Sequence, residues 1–323
     1  MSVPKLLDEL DLFVVIHVTV FLSKHEITPL RTMEPPRYLF CTSSPGSDGS
    51  SSCTGFCLMA KSNGYDMTTR EDLSDNEARK MLTDHMLWQS WKKRDNDMFI
   101  SFTPSPFFAL LHELRKVNTC PHTNFTNCFV AIIDTSFYAA GTFSWTVDLL
   151  HHYGIGEREH RDLLQDYHQG EYLAEFEILT DSAEVSMQVS LEGLANGGKL
   201  FELWPEFEDD QYESKVVKAL ELIRSTWYEV ETPITQPYIA AARQFAQCFG
   251  GKWYLPLTIW VLASRARSKN DDRLLAEFSD GWNGIRLSRY QIVSHELILG
   301  REHRRTLPLS RPDGRLTSRV TRA

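Results

Sequence analysis

The chain has 323 residues, 42% hydrophobic and 24% charged, with a formal net charge of −9. That balance excludes a disordered chain and leaves room for one large core or two smaller ones. From Gly281 to Ala323 nine Lys and Arg face three Asp and Glu, so residues 1–280 hold 25 against 40. An acidic body argues against nucleic acid as a partner, because phosphate binding needs clustered Lys and Arg.

The first apolar run, Leu12 to Leu22, is too short to span a bilayer and is interrupted by His17 and Thr19. Asp8, Glu9 and Asp11 precede it, where a signal peptide carries positive charge. It reads as a buried strand, with a cleavable signal as the other option. The expected setting is cytoplasmic or nuclear, with no membrane and no secretion. Six cysteines (Cys41, Cys53, Cys57, Cys120, Cys128 and Cys248) make no compact disulfide framework and fit reduced thiols. Asn124-Phe125-Thr126 is a glycosylation sequon that has meaning only on a secretory route.

Pro35-Pro36 leads into a short strand, Arg37-Tyr38-Leu39-Phe40, and the Ser/Gly-rich stretch from Thr42 to Ser52 is a loop. Between Asp75 and Trp91, Ala78, Met81, Leu82, His85, Met86 and Trp88 recur at helical spacing. Met98 to Thr103 is a strand, and Pro104-Ser105-Pro106 opens a helix that runs to about Val117. Phe129 to Asp134 is a near-continuous apolar strand of buried type, and residues 157–168 are charged and helical. From Glu171 to Leu179 the text alternates with period two: Tyr172, Ala174, Phe176 and Ile178 mark one face, and Glu171, Leu173, Glu175 and Glu177 a mostly solvated one. Beyond Pro205 the chain becomes helical: Lys215 to Tyr228, Ile239 to Phe249 with Gly250-Gly251 as its terminus, and Trp253 to Ala266. The break falls near residue 210.

Several chemistries drop out. Cys53-x-x-x-Cys57 and Cys120-Pro121-His122 lack the matching second half of a structural zinc site, so no metal is expected. His151-His152 reads as a helix end. There is no Gly-x-Ser-x-Gly elbow, and Gly193 to Gly198 does not match a phosphate-cradling loop.

Three separated segments remain: Arg37-Tyr38-Leu39-Phe40, Phe99-Ile100-Ser101-Phe102-Thr103, and Gln169-Gly170-Glu171-Tyr172-Leu173-Ala174. Cleaving the nicotinamide–ribose bond of NAD needs a cation near the pyrophosphate or ribose and a strand hydroxyl to brace the site. It also needs a carboxylate to stabilise the cationic charge that develops on the sugar. A Gln-x-Glu at a strand start sets both side chains on one face.

The order of these segments resembles the toxin-type mono-ADP-ribosyltransferases, especially their pertussis-like branch, over roughly residues 35–210. The wording PRYLF…HMLW…FISFT…VAIIDTS…EYLA also resembles a fungal domain family of unknown function. The resemblance implies an α+β domain with a split pair of sheets, followed by a small all-helical region, and NAD as substrate. It implies Glu171 as catalytic carboxylate, Gln169 as the residue that orients an acceptor, and Ser101 with Thr103 as the brace under the nicotinamide. The helix from Phe107 would back the site. One slot departs: where the first motif would carry arginine, after Leu39-Phe40, this chain has Cys41. Arg37 lies four residues earlier, about 13 Å away by strand rise, and a neutral thiol cannot offer a fork of charged hydrogen bonds. Two readings stay open, an NAD-binding ADP-ribosyltransferase-like protein of weakened catalysis acting on a protein acceptor, and a non-catalytic interaction module on the same fold. The expected layout is an N-terminal extension (1–34), the α+β domain (35–210), a helical region (211–282) and a basic, disordered tail (283–323). Simpler readings stand beside these: Glu171 as a solvated strand-start residue, Ser101 and Thr103 as ordinary sheet residues, Arg37 as a surface residue, and Trp227, Trp253 and Trp260 as helix packing.

Overall fold

The structure is a computed structural model and describes residues 34–45, 50–52, 57–59, 74–86, 99–155, 170–175, 177–179, 182–208, 216–229 and 232–265. The apolar run at Leu12–Leu22, the charged stretch 157–168 expected to be helical, Gln169 and the basic tail therefore lie outside the described residues.

The architecture is α+β, and the described residues form three antiparallel sheets of three strands each. In chain order the strands are β1 (Tyr38–Ser43), β2 (Ser50–Ser52), β3 (Cys57–Met59), β4 (Phe99–Phe102), β5 (Phe129–Asp134), β6 (Ser144–Trp145), β7 (Tyr172–Glu175), β8 (Glu177–Leu179) and β9 (Ser186–Ser190). The longer helices are α1 (Asp75–Met86), α2 (Pro106–Thr119), α3 (Thr146–His152), α4 (Leu200–Leu203), α5 (Val216–Glu229), α6 (Gln236–Phe249) and α7 (Tyr254–Ala263). One sheet runs β1-β5-β9, another β4-β7-β6, and a third β2-β3-β8. Among the described residues one backbone bridge joins the first two: Phe40 and Thr103 exchange both hydrogen bonds at 2.8 Å. Beyond that bridge β1 and β4 part, so the sheets are split between the strand of Cys41 and the strand of Ser101.

Local chemistry sets the helix starts. Ser74 and Glu77 form a capping box at α1: the Ser74 N–H donates to Glu77 Oε2 at 3.0 Å and the Glu77 N–H to Ser74 Oγ at 3.4 Å. Ser105 caps α2 by accepting from the Phe108 N–H, with Pro106 in the first turn. Thr235 does the same for α6, which stops at Gly250 with φ of 62°. The 193–197 turn is π-helical; a Cβ on Gly198 would stand 2.8 Å from the Leu194 carbonyl oxygen, so only glycine fits there.

Strand alternation sorts the core. Tyr38 and Phe40 of β1 and Val130 and Ile132 of β5 face α2 and the C-terminal helices. Leu39, Cys41, Ala131 and Ile133 face the opposite way, into a cluster with Phe102, Phe143, Tyr172, Ala174 and Ile178. On β4 and β7, Phe99 and Leu173 turn away from that cluster toward Leu82 and Met86 of α1 and Leu149 and Leu150 of α3. The Leu173 face of β7, expected to be mostly solvated, is thus covered at Leu173. Two short helices pack across it, which period-two text cannot reveal. The Phe107 ring meets Trp204, Trp227 and Trp260 at centroid distances of 5.1, 4.8 and 4.4 Å. The helices beyond residue 210 share one core with α2 and β1 rather than packing only among themselves.

Candidate functional site

The antiparallel register of β4 and β7 sets Ser101 opposite Leu173 and Phe102 opposite Tyr172. By alternation Ser101 and Glu171 fall on the Leu173 side, away from the cluster that holds Cys41. Ser101 is exposed, and its Oγ lies 2.9 Å from Nε2 of His85, in the last turn of α1. The imidazole is held edge-on against Phe99 at 5.5 Å. Which partner donates follows the imidazole tautomer. Glu171 stands just before β7, half-buried, and its carbonyl accepts the Thr146 N–H at 3.0 Å.

Thr103 is the hinge residue of the split. It bridges Phe40 through its backbone, and its Oγ1 accepts the Ser105 N–H at 3.1 Å. Its hydroxyl thus braces the entry to α2.

Arg37 and Cys41 are not brought to Ser101 and Glu171. Arg37 Nε donates to both oxygens of Asp134 at 3.3 Å, and Lys252 Nζ meets the same carboxylate at 2.6 Å. Burial alone would raise the Asp134 carboxyl, but Lys252, Ser136 and Arg37 hold it below the ordinary range. Cys41 is 3% exposed, and burial first, with the Glu113 charge second, pushes its thiol up to about 12. It stays neutral at physiological pH and carries no charge toward a phosphate.

On the α2 side of β1 lies a second polar group. Thr42 Oγ1 is 3.2 Å from His112 Nδ1, and the fully buried Glu113 takes the Lys116 ammonium at 2.9 Å. Burial favours the neutral acid, yet His112 and Lys116 outweigh it and hold Glu113 at about 2. Among the described residues no group of three or more His, Cys, Asp or Glu is placed to hold a metal ion. No described helix is long and apolar enough to cross a membrane.

What the arrangement offers is an imidazole-held hydroxyl and a carboxylate on adjacent strands beside a split between sheets. The carboxylate can accept hydrogen bonds from sugar hydroxyls and stabilise positive charge on a ring carbon. Residues 34–183 match the sequence model of a family described as a domain of unknown function (DUF7587). The match spans β1 to the turn before β9, so it takes in Ser101, His85 and Glu171 and stops short of the C-terminal helices. No curated protein and no solved structure matches the chain.

His85 escaped the sequence reading as a site residue because its helical spacing marks it as one of a core-facing set. Its partner Ser101 is sixteen residues away, and only the packing of α1 on β4 joins them. Asp134 and Lys252 escaped for the same reason, at a separation of 118 residues.

Proposed function

We propose that this chain is an NAD-binding protein of ADP-ribosyltransferase-like organisation whose catalysis is weakened. The observation that carries this reading is the Ser101–His85 hydrogen bond on the strand paired with the one that follows Glu171. In it, Ser101 and Thr103 brace the nicotinamide end. Glu171 stabilises the ribosyl charge as nicotinamide leaves, and Gln169 orients the group of the acceptor protein that attacks. The weakening follows from Cys41: a neutral thiol, buried and turned away from Ser101 and Glu171, replaces the guanidinium expected to grip phosphate or ribose, and Arg37 is taken by Asp134.

A second reading has its own observation. The burial of Cys41 in apolar surroundings favours a non-catalytic interaction module that keeps the framework without turnover. Calorimetric titration with NAD, wild type beside Glu171→Ala, with nicotinamide release followed in the same samples, separates the two. Binding with slow release that Glu171→Ala abolishes is the expected outcome. Failure of the wild type to bind at millimolar NAD overturns the NAD reading and leaves the interaction module.

A further inference from the structure

Three threonines are buried among the described residues, and two satisfy their hydroxyls within the protein. Thr135 Oγ1 donates to the Pro36 carbonyl at 2.8 Å, and Thr258 Oγ1 to the Tyr254 carbonyl one turn back, also at 2.8 Å. Thr146 is 0% exposed, and its Oγ1 has no hydrogen-bond partner among the described residues. It is the first residue of α3, so no preceding turn offers it a carbonyl. Leaving a hydroxyl buried and unsatisfied costs free energy that the isosteric, wholly apolar valine would avoid. Packing therefore does not account for a threonine here.

The strand register says what the hydroxyl is near. Ser144 pairs with Leu173 and Trp145 with Tyr172, and the Thr146 N–H extends the ladder by donating to the Glu171 carbonyl at 3.0 Å. Continued by one step, to where β6 gives way to α3, the register sets Thr146 across from Glu171, and residues opposite each other in an antiparallel pair share a face at neighbouring-side-chain distance. A hydroxyl beside a carboxylate makes a short, charge-assisted hydrogen bond once the carboxylate turns to it.

Resting on the NAD-binding reading above, we propose that Thr146 is a positioning residue: its hydroxyl fixes the Glu171 carboxylate in the orientation that meets the ribose of bound NAD. The hydroxyl, without a partner among the described residues, is satisfied when NAD draws the carboxylate into place. Strain of this kind is kept where function requires it.

The full chain carrying Thr146→Val or Thr146→Ser tests this, with NAD binding by calorimetry and thermal melting measured together. Thr146→Val melts no lower than wild type, because an unsatisfied polar group has been removed, yet binds NAD about tenfold more weakly. Thr146→Ser, which restores the hydroxyl, binds within about twofold of wild type. Undiminished NAD binding by Thr146→Val overturns the proposal while leaving the NAD reading intact. So does equal weakening by both variants with a fall in melting temperature, which marks Thr146 as a packing residue. If wild type itself does not bind NAD, the reading beneath the proposal falls, and the proposal with it.

Discussion

Two regions of this molecule solve opposite problems. Around Phe107 the chain crowds Trp204, Trp227, Trp260 and Phe245 into one apolar mass, drawn from α2, α4, α5, α6 and α7. Around Ser101 the same fold leaves an exposed hydroxyl, a half-buried imidazole and a half-buried carboxylate beside two short helices. The first region spends its residues on contact between large rings, each of which buries much apolar area. The second keeps polar groups within reach of solvent, where each adds little to stability. Stability and candidate chemistry are therefore divided between the face of β1 that meets α2 and the face of β4 that meets α1.

The contrast can be broken most forcefully at its apolar pole. Phe107→Ala removes the ring at the centre of the aromatic cluster and is expected to cost about 4 kcal/mol in denaturant unfolding; a loss of about 1 kcal/mol or less would show that the cluster is not the main source of stability. The buried polar group beneath β1 comes next. Glu113 is held at about 2 against an ordinary 4.5, so its contribution is full above about pH 4.5 and is lost as pH falls toward 2. Wild type should lose on the order of 3 kcal/mol across that window through this group. Glu113→Gln should show a correspondingly flatter acid limb in melting experiments, and identical limbs would contradict the assignment. The smallest effect belongs to the candidate site: His85→Ala should change stability by less than about 1 kcal/mol while weakening the NAD binding proposed above. A large loss of stability there would place His85 in the core and erase the contrast.

Much of the framework was legible in the residues. β1, β4 and β5 sit where short apolar runs bounded by Pro and polar residues place them, and α2 begins at the Pro-Ser-Pro that caps it. His151-His152 closes α3, and Gly250 ends α6, as expected of such residues. Glu171 and Ser101 became candidates because each lies in a short motif within or beside a strand. What was not legible depends on contacts between distant segments. Leu173 reads as part of a polar face until α1 and α3 cover it, and Arg37 reads as a surface cation until Asp134 claims it. Trp253 and Trp260 read as packing for their own helices, whereas Trp253 lies edge-on against Tyr38 of β1 at 5.5 Å and Trp260 packs on Phe107 of α2. Periodicity reports which side of an element is apolar, not which element lands on it.

The carboxylate of Asp134 collects Arg37 from the start of β1 and Lys252 from the junction of α6 and α7. It thereby ties the opening of the family-matched stretch to a segment well past its end. The unit that a sequence family recognises, residues 34–183, and the unit that folds are consequently different lengths. A fragment trimmed to the family boundaries keeps Asp134 and Arg37 but discards Lys252, and it strips Trp253, Trp260 and Phe245 from the face of Tyr38 and Phe107. For this chain, the boundary of resemblance is not a place to cut.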